Sequence, residues 1–176
     1  MANRVLLPGL FVALWSTGYV VVRLAMPDAG PVRFLVWRFG VAAVLLAVAA
    51  VMVRAPWASR TVDYGHLAVV GLLVHGIGLG GVWVALDLGV EAGVAALVMG
   101  TQPLLTAALA VSLIGERIDR RMAAGLALGF LGVTLVIHHK LAGIGDRAGL
   151  VAVVIAVVAM TLGVLYQKRR CAHIDL

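Results

Sequence analysis

Six long apolar runs constrain what this chain can fold into: Val5–Val22, Val32–Val53, Leu67–Leu86, Ala92–Gly115, Met122–Ile137 and Ala148–Gln167. Apart from Arg33 and Arg38 in the second, none holds an Asp, Glu, Lys or Arg. A helix needs about 20 apolar residues, each rising 1.5 Å, to cross the hydrocarbon core of a bilayer. The fourth and sixth runs are clear by length alone. The second leaves only about 15 uncharged residues after Arg38, and the fifth is short. No polar-faced helices accompany these two to build a soluble shell, so both read as spans. The expected fold class is all-α, a polytopic transmembrane helical bundle of about six spans.

Composition excludes the soluble alternatives. Of 176 residues, 63% are hydrophobic and 12% charged, with a mean hydropathy of +1.09. A soluble domain of this size would be left with a surface made largely of Val, Leu and Ala. The net charge of +6 does not indicate nucleic acid as a partner, because the basic residues stand singly or in small clusters between apolar runs. There is no basic face and no aromatic platform for bases. Cys171 is the sole cysteine, which rules out an internal disulfide and a multi-cysteine metal site. The first run, preceded only by Arg4, reads as a permanent span rather than a cleaved leader.

Basic residues are retained on the cytoplasmic side of a membrane, so their distribution orients the spans. One side carries Arg4, Arg54, Arg60, Arg117, Arg120, Arg121, Lys168, Arg169 and Arg170; the other carries Arg23, Arg33, Arg38, Lys140 and Arg147. This bias predicts a multi-pass membrane protein with both termini cytoplasmic. Glycines spaced by four, Gly76 with Gly80, Gly89 with Gly93 and Gly125 with Gly129, are candidates for close helix approach or chance products of Gly-rich spans.

The stretch from Ala92 to His139 joins a long span containing Gln102-Pro103, a tight Gly115-Glu116-Arg117 turn and a Gly-rich span. Within it, Ala95, Leu97, Pro103, Thr106, Ala107 and Leu109-Ala110 stand in a fixed order. Earlier come Trp15-Ser16 in the first run, and Pro31 and Arg38-Phe39 at the opening of the second. Together they resemble the drug/metabolite transporter superfamily, in particular its EamA-type carriers. The resemblance implies ten spans in two inverted five-span repeats, with alternating access to a central site. Residues 1–141 would then be the first repeat, and 142–176 the start of a second, one span and a short tail. Laying the sixth run on the first with an offset of 145 aligns Gly18 with Gly163 and Arg23 with Lys168, though Trp15 meets Met160. A chain that stops there is expected to transport poorly by itself.

The candidate substrate-binding residues are Trp15, Arg38, Gln102 and Pro103. Arg38 lies about two turns inside its run, where a charge must pair, face water or snorkel to the surface. Pro103 removes a backbone donor in mid-span, leaving either a polar binding point beside the Gln102 amide or a structural kink. Trp15 sits deep for a tryptophan and either lines a cavity or packs on a neighbour. Asp87 and Glu91 flank a short turn, as a solvated pair or as proton-coupling groups. His75 is alone among glycines, and His138 and His139 look interfacial, so no metal-ligand constellation or cofactor is expected.

The leading functional reading is a secondary carrier, exporting amino acids or other small metabolites, with the lipid bilayer, a small-molecule substrate and a coupling ion or proton as partners. No ATP-binding motif is present. An intramembrane enzyme is disfavoured by the lack of a nucleophile elbow, a His-Glu-x-x-His helix or paired intramembrane aspartates. A non-transporting fragment or membrane scaffold is the alternative.

Overall fold

A computed structural model describes residues 30–55, 60–115, 119–141 and 147–172, with single positions Leu6, Gly9, Leu10, Val12 and Thr17; at 31 and 136–141 it describes the backbone alone. Those five single positions are helical, and the rest of the first run lies outside the described residues. The described residues form five helices and no strand. They are α1 (Pro31–Met52), α2 (Thr61–Asp87), α3 (Ala92–Ile114), α4 (Arg120–Leu141) and α5 (Arg147–Arg170). Four of these, α1, α2, α3 and α5, are long and apolar enough to cross a membrane by length and composition.

The helix ends follow from local chemistry. Arg54, with φ 52°, turns the chain after α1 into the left-handed region, and the Ala55 N–H bonds to the Ala50 carbonyl at 2.9 Å. Gly89 and Gly115, at φ 88° and 77°, do the same after α2 and α3. Asp119 caps α4 through Oδ1, which accepts the Met122 N–H at 2.6 Å. The helix α2 begins six residues before the apolar run at Leu67, because Thr61 to His66 continue it in helical conformation. In its middle, Leu72–Leu79 winds as a π-helix, and the Gly80 N–H reaches back to the His75 carbonyl.

Contacts divide the chain into two compact units, residues 1–45 and 46–176. In the second unit α5 lies between α2 and α3, and α4 packs on α3. The α2–α5 pair is antiparallel: a Cβ built at Gly149 would meet Val90, one at Gly81 would meet Ala156, one at Gly78 would meet Met160, and one at Gly163 would meet Val74. On α5 the positions Gly149, Val153, Ala156, Met160 and Gly163 recur every four and three residues, so one stripe faces α2 along its length. Val157 and Thr161 are also buried, and the Thr161 hydroxyl donates to the Val157 carbonyl at 2.7 Å.

The glycines placed in this seam by their neighbours are Gly78, Gly81, Gly149 and Gly163. A Cβ at Gly89, Gly93 or Gly125 would meet nothing, one at Gly76 would meet only Leu72 of its own helix, and one at Gly129 would meet the Leu104 side chain. A Cβ at Gly81, by contrast, would come to 2.9 Å from the Ala156 Cβ and 3.1 Å from the Ala152 carbonyl oxygen. Lipid tails are as apolar as leucine, so helices in a bilayer associate by close packing of this kind rather than by burial from water.

Candidate functional site

The helix α3 is broken at its middle. Its first half ends at Met99, Gly100 and Thr101 form a turn, and the second half starts at Gln102. Three features of the sequence produce the break. Pro103 has no N–H to return to the carbonyl four residues back, but it suits the first turn of a new helix. Thr101 tightens the turn, with its N–H and its hydroxyl both donating to the Val98 carbonyl, at 3.0 and 2.6 Å. Gly100 makes a close turn, since a Cβ would lie 3.1 Å from the Leu97 carbonyl oxygen and 3.3 Å from that of Ala96.

Around the break lies a short polar ladder. Thr106 donates its hydroxyl to the Gln102 carbonyl at 2.8 Å, and Gln102 Nε2 donates to the Thr106 Oγ1 at 3.2 Å. The Gln102 side chain is half-buried and Pro103 exposed, while Thr101 is buried. Among the described residues Gln102 therefore bonds along its own helix, and its bond to Thr106 employs one of the two amide donors. An irregular stretch of backbone with a partly committed amide can offer both a donor and an acceptor to a polar ligand.

The other candidates are placed separately. Trp15 lies outside the described residues. Arg38 belongs to the unit 1–45, two turns into α1, with an exposed side chain, whereas Gln102 and Pro103 belong to the unit 46–176. Asp87 is the last residue of α2 and Glu91 immediately precedes α3; both are exposed, so the turn parts them instead of placing them on one helical face. His75 is exposed within the π-helical segment. Glu116 and Arg117 lie outside the described residues, as do the side chains of His138 and His139.

One polar group escaped the reading of the sequence. His66 Nδ1 lies 2.7 Å from the Tyr166 hydroxyl, tying the start of α2 to the end of α5, and Asp63, one turn earlier on α2, is buried. The charge-free window starting at Leu67 hid them, since it left Asp63 and His66 outside the span. Extending the helical spacing back to Thr61 would have placed both on one side of α2.

Comparison with known proteins supplies the wider frame. The model of the EamA-like transporter family matches residues 5–138. A protein of Salmonella typhimurium described as "Probable amino-acid metabolite efflux pump" is 27% identical over 166 residues, covering 93% of this chain and 53% of the relative. An Escherichia coli protein with the same description is 26% identical over the same shares. The Escherichia coli inner membrane transporter YedA is 29% identical over 175 residues, covering 96% of this chain and 56% of its own length. The chain thus spans about half the length of the curated relatives it matches. No solved structure matches it. With several helices of membrane-crossing length and a family match over most of its residues, the chain belongs to the EamA-like transporter family, a family of multi-pass membrane transporters and not of enzymes.

Proposed function

We propose that this chain supplies a first five-span repeat, residues 1–141, and the opening span of a second, residues 142–176, of a ten-span inverted-repeat carrier in the inner membrane. The carrier exports amino acids or other small metabolites by alternating access. The observation that carries this reading is the broken helix α3. Irregular backbone at membrane depth is tolerated only where it is buried in protein or lines a cavity, and carriers of this architecture hold their substrates at such discontinuities near the midplane.

In this reading Gln102 and Pro103 mark the substrate path, with the remaining Gln102 donor and its acceptor oxygen meeting a polar group. Arg38 takes an anionic group such as a carboxylate through a bidentate pair, and Trp15 offers a flat apolar face. The descriptions of the Salmonella and Escherichia relatives support the substrate class. The antiparallel course of α2 and α5 agrees with a third and a sixth span that cross in opposite directions. Both termini are then cytoplasmic, on the side with more Lys and Arg.

Efflux of radiolabelled amino acids from proteoliposomes, measured with a two-repeat carrier containing this chain, tests the reading. Saturable export is expected. Gln102→Ala should reduce it, and Arg38→Ala should reduce it more than Arg38→Lys, which keeps the charge but loses the planar fork. Variants that insert normally and all export at the parent rate would remove these residues from the site. Absence of any saturable flux would favour the scaffold reading. Reporter fusions at the two ends check the topology, and a periplasmic signal from either would change the span count by one.

A further inference from the structure

The end of the α2–α5 pair that carries Arg60 and Lys168 to Arg170 holds a polar group with no part in the transport reading. His66 Nδ1 and the Tyr166 hydroxyl are 2.7 Å apart across 100 residues of sequence, with ring centroids 5.7 Å apart and planes inclined at 54°. Both side chains are half-buried. Asp63 is only 4% exposed and stands three residues before His66, so helical spacing puts it on the same side of α2. Aspartate is rarely this buried unless it is paired.

We propose that Asp63, His66 and Tyr166 form a proton-binding clasp that joins α2 to α5 at the basic end of the bundle. Imidazole is the side chain whose ordinary titration falls between pH 5 and 8. In the neutral form, with the ring proton on Nε2, Nδ1 accepts the Tyr166 O–H. When a proton from solvent binds Nδ1, the direction reverses: Nδ1–H donates to the tyrosine oxygen, and the bond becomes charge-assisted. The Asp63 carboxylate opposes the new positive charge. Acidification therefore tightens the junction of the two helices, and the contribution is lost as pH rises through the titration of the ring.

Among the described residues, the charged and titratable groups at this level are Arg60, just before α2, Asp63 and Tyr64 on α2, Tyr166, Lys168 and Arg170 on α5, the helix that packs against these turns, and Cys171 just after it. Arg169 is turned away, its Nη1 donating to the Leu113 carbonyl at 3.5 Å on α3. Substituting Asp63 removes the carboxylate from this end of α2 and leaves the basic residues in place.

The 176-residue chain, reconstituted in lipid nanodiscs with 15N-labelled histidine, permits a direct test between pH 5 and 8, with the His66 ring assigned by its loss in His66→Gln. The His66 nitrogens should titrate in this window in the parent. Asp63→Asn should weaken proton binding roughly threefold to tenfold, through loss of the neighbouring negative charge. Tyr166→Phe should change the tautomer balance of the neutral ring, because Nδ1 loses its donor. A His66 ring that does not titrate in the parent would overturn the proposal. So would a titration and tautomer balance that both substitutions leave unchanged. If Asp63→Asn fails to insert, the parent and Tyr166→Phe spectra decide. The test reads no flux, so its outcome is independent of the transport reading.

Discussion

The helices α1 and α5 are nearly equal in length and apolar character, with 22 and 24 residues and window hydropathies of 2.3 and 2.7. Yet 6% of the α1 window is buried and 44% of the α5 window. Small residues do not separate them, since α1 has Gly40 and five alanines and α5 a comparable set. The difference lies in what each small residue meets. A Cβ at Gly40 would touch nothing, whereas one at Gly163 would lie 2.6 Å from a Val74 methyl carbon and 3.0 Å from the Leu73 Cβ. Hydropathy reports that a helix sits in lipid; it does not report whether lipid or another helix covers a given face.

The sharpest way to break this contrast is to overpack the seam. Gly163→Leu and Gly81→Leu should each destabilise the α2–α5 pair by about 1–3 kcal/mol, because the atoms in the way include α-carbon-bound carbons and backbone of the partner helix. Unfolding in mixed detergent micelles followed by circular dichroism measures it. A loss no larger than that of Gly40→Leu would mean that the seam is loose in the bilayer.

A smaller effect is expected at the polar end of the same pair. Tyr166→Phe removes one hydrogen bond between helices and should lower stability by about 0.5–1 kcal/mol, since such bonds inside membrane proteins contribute modestly. The same unfolding assay at pH 6 and pH 8 checks it.

The smallest effect belongs to α1. Gly40→Leu and Val44→Ala should shift stability by no more than about 0.5 kcal/mol, because the one enters open space and the other is 63% exposed. A large loss at either position would show that α1 has a protein partner on that face.

One feature of the candidate site was legible in the sequence, the break in α3. Pro103 announced the interruption of α3, because a missing N–H in mid-span has a necessary local consequence. The order of Trp15, Arg38, Pro103 and Gly115-Glu116-Arg117 pointed to the family that the match over residues 5–138 establishes. What the Gln102 side chain does was not legible: its choice of Thr106 over a neighbouring helix depends on the rotamer and on what lies across the gap. Asp63 and His66 were missed because polarity at the end of a span looks like a loop until packing shows that the helix continues.

The sequence by itself determined that long apolar helices enter lipid and where one of them must break. Both are sums of local terms: the transfer preference of each side chain, and the backbone donor that proline lacks. Only the tertiary structure decided that Gly81 and Gly163 lie in the close seam, and that His66 reaches Tyr166. Those choices depend on which surface of a distant helix comes to face each residue. Many faces of equal hydropathy compete for that place in lipid, and close packing selects one of them.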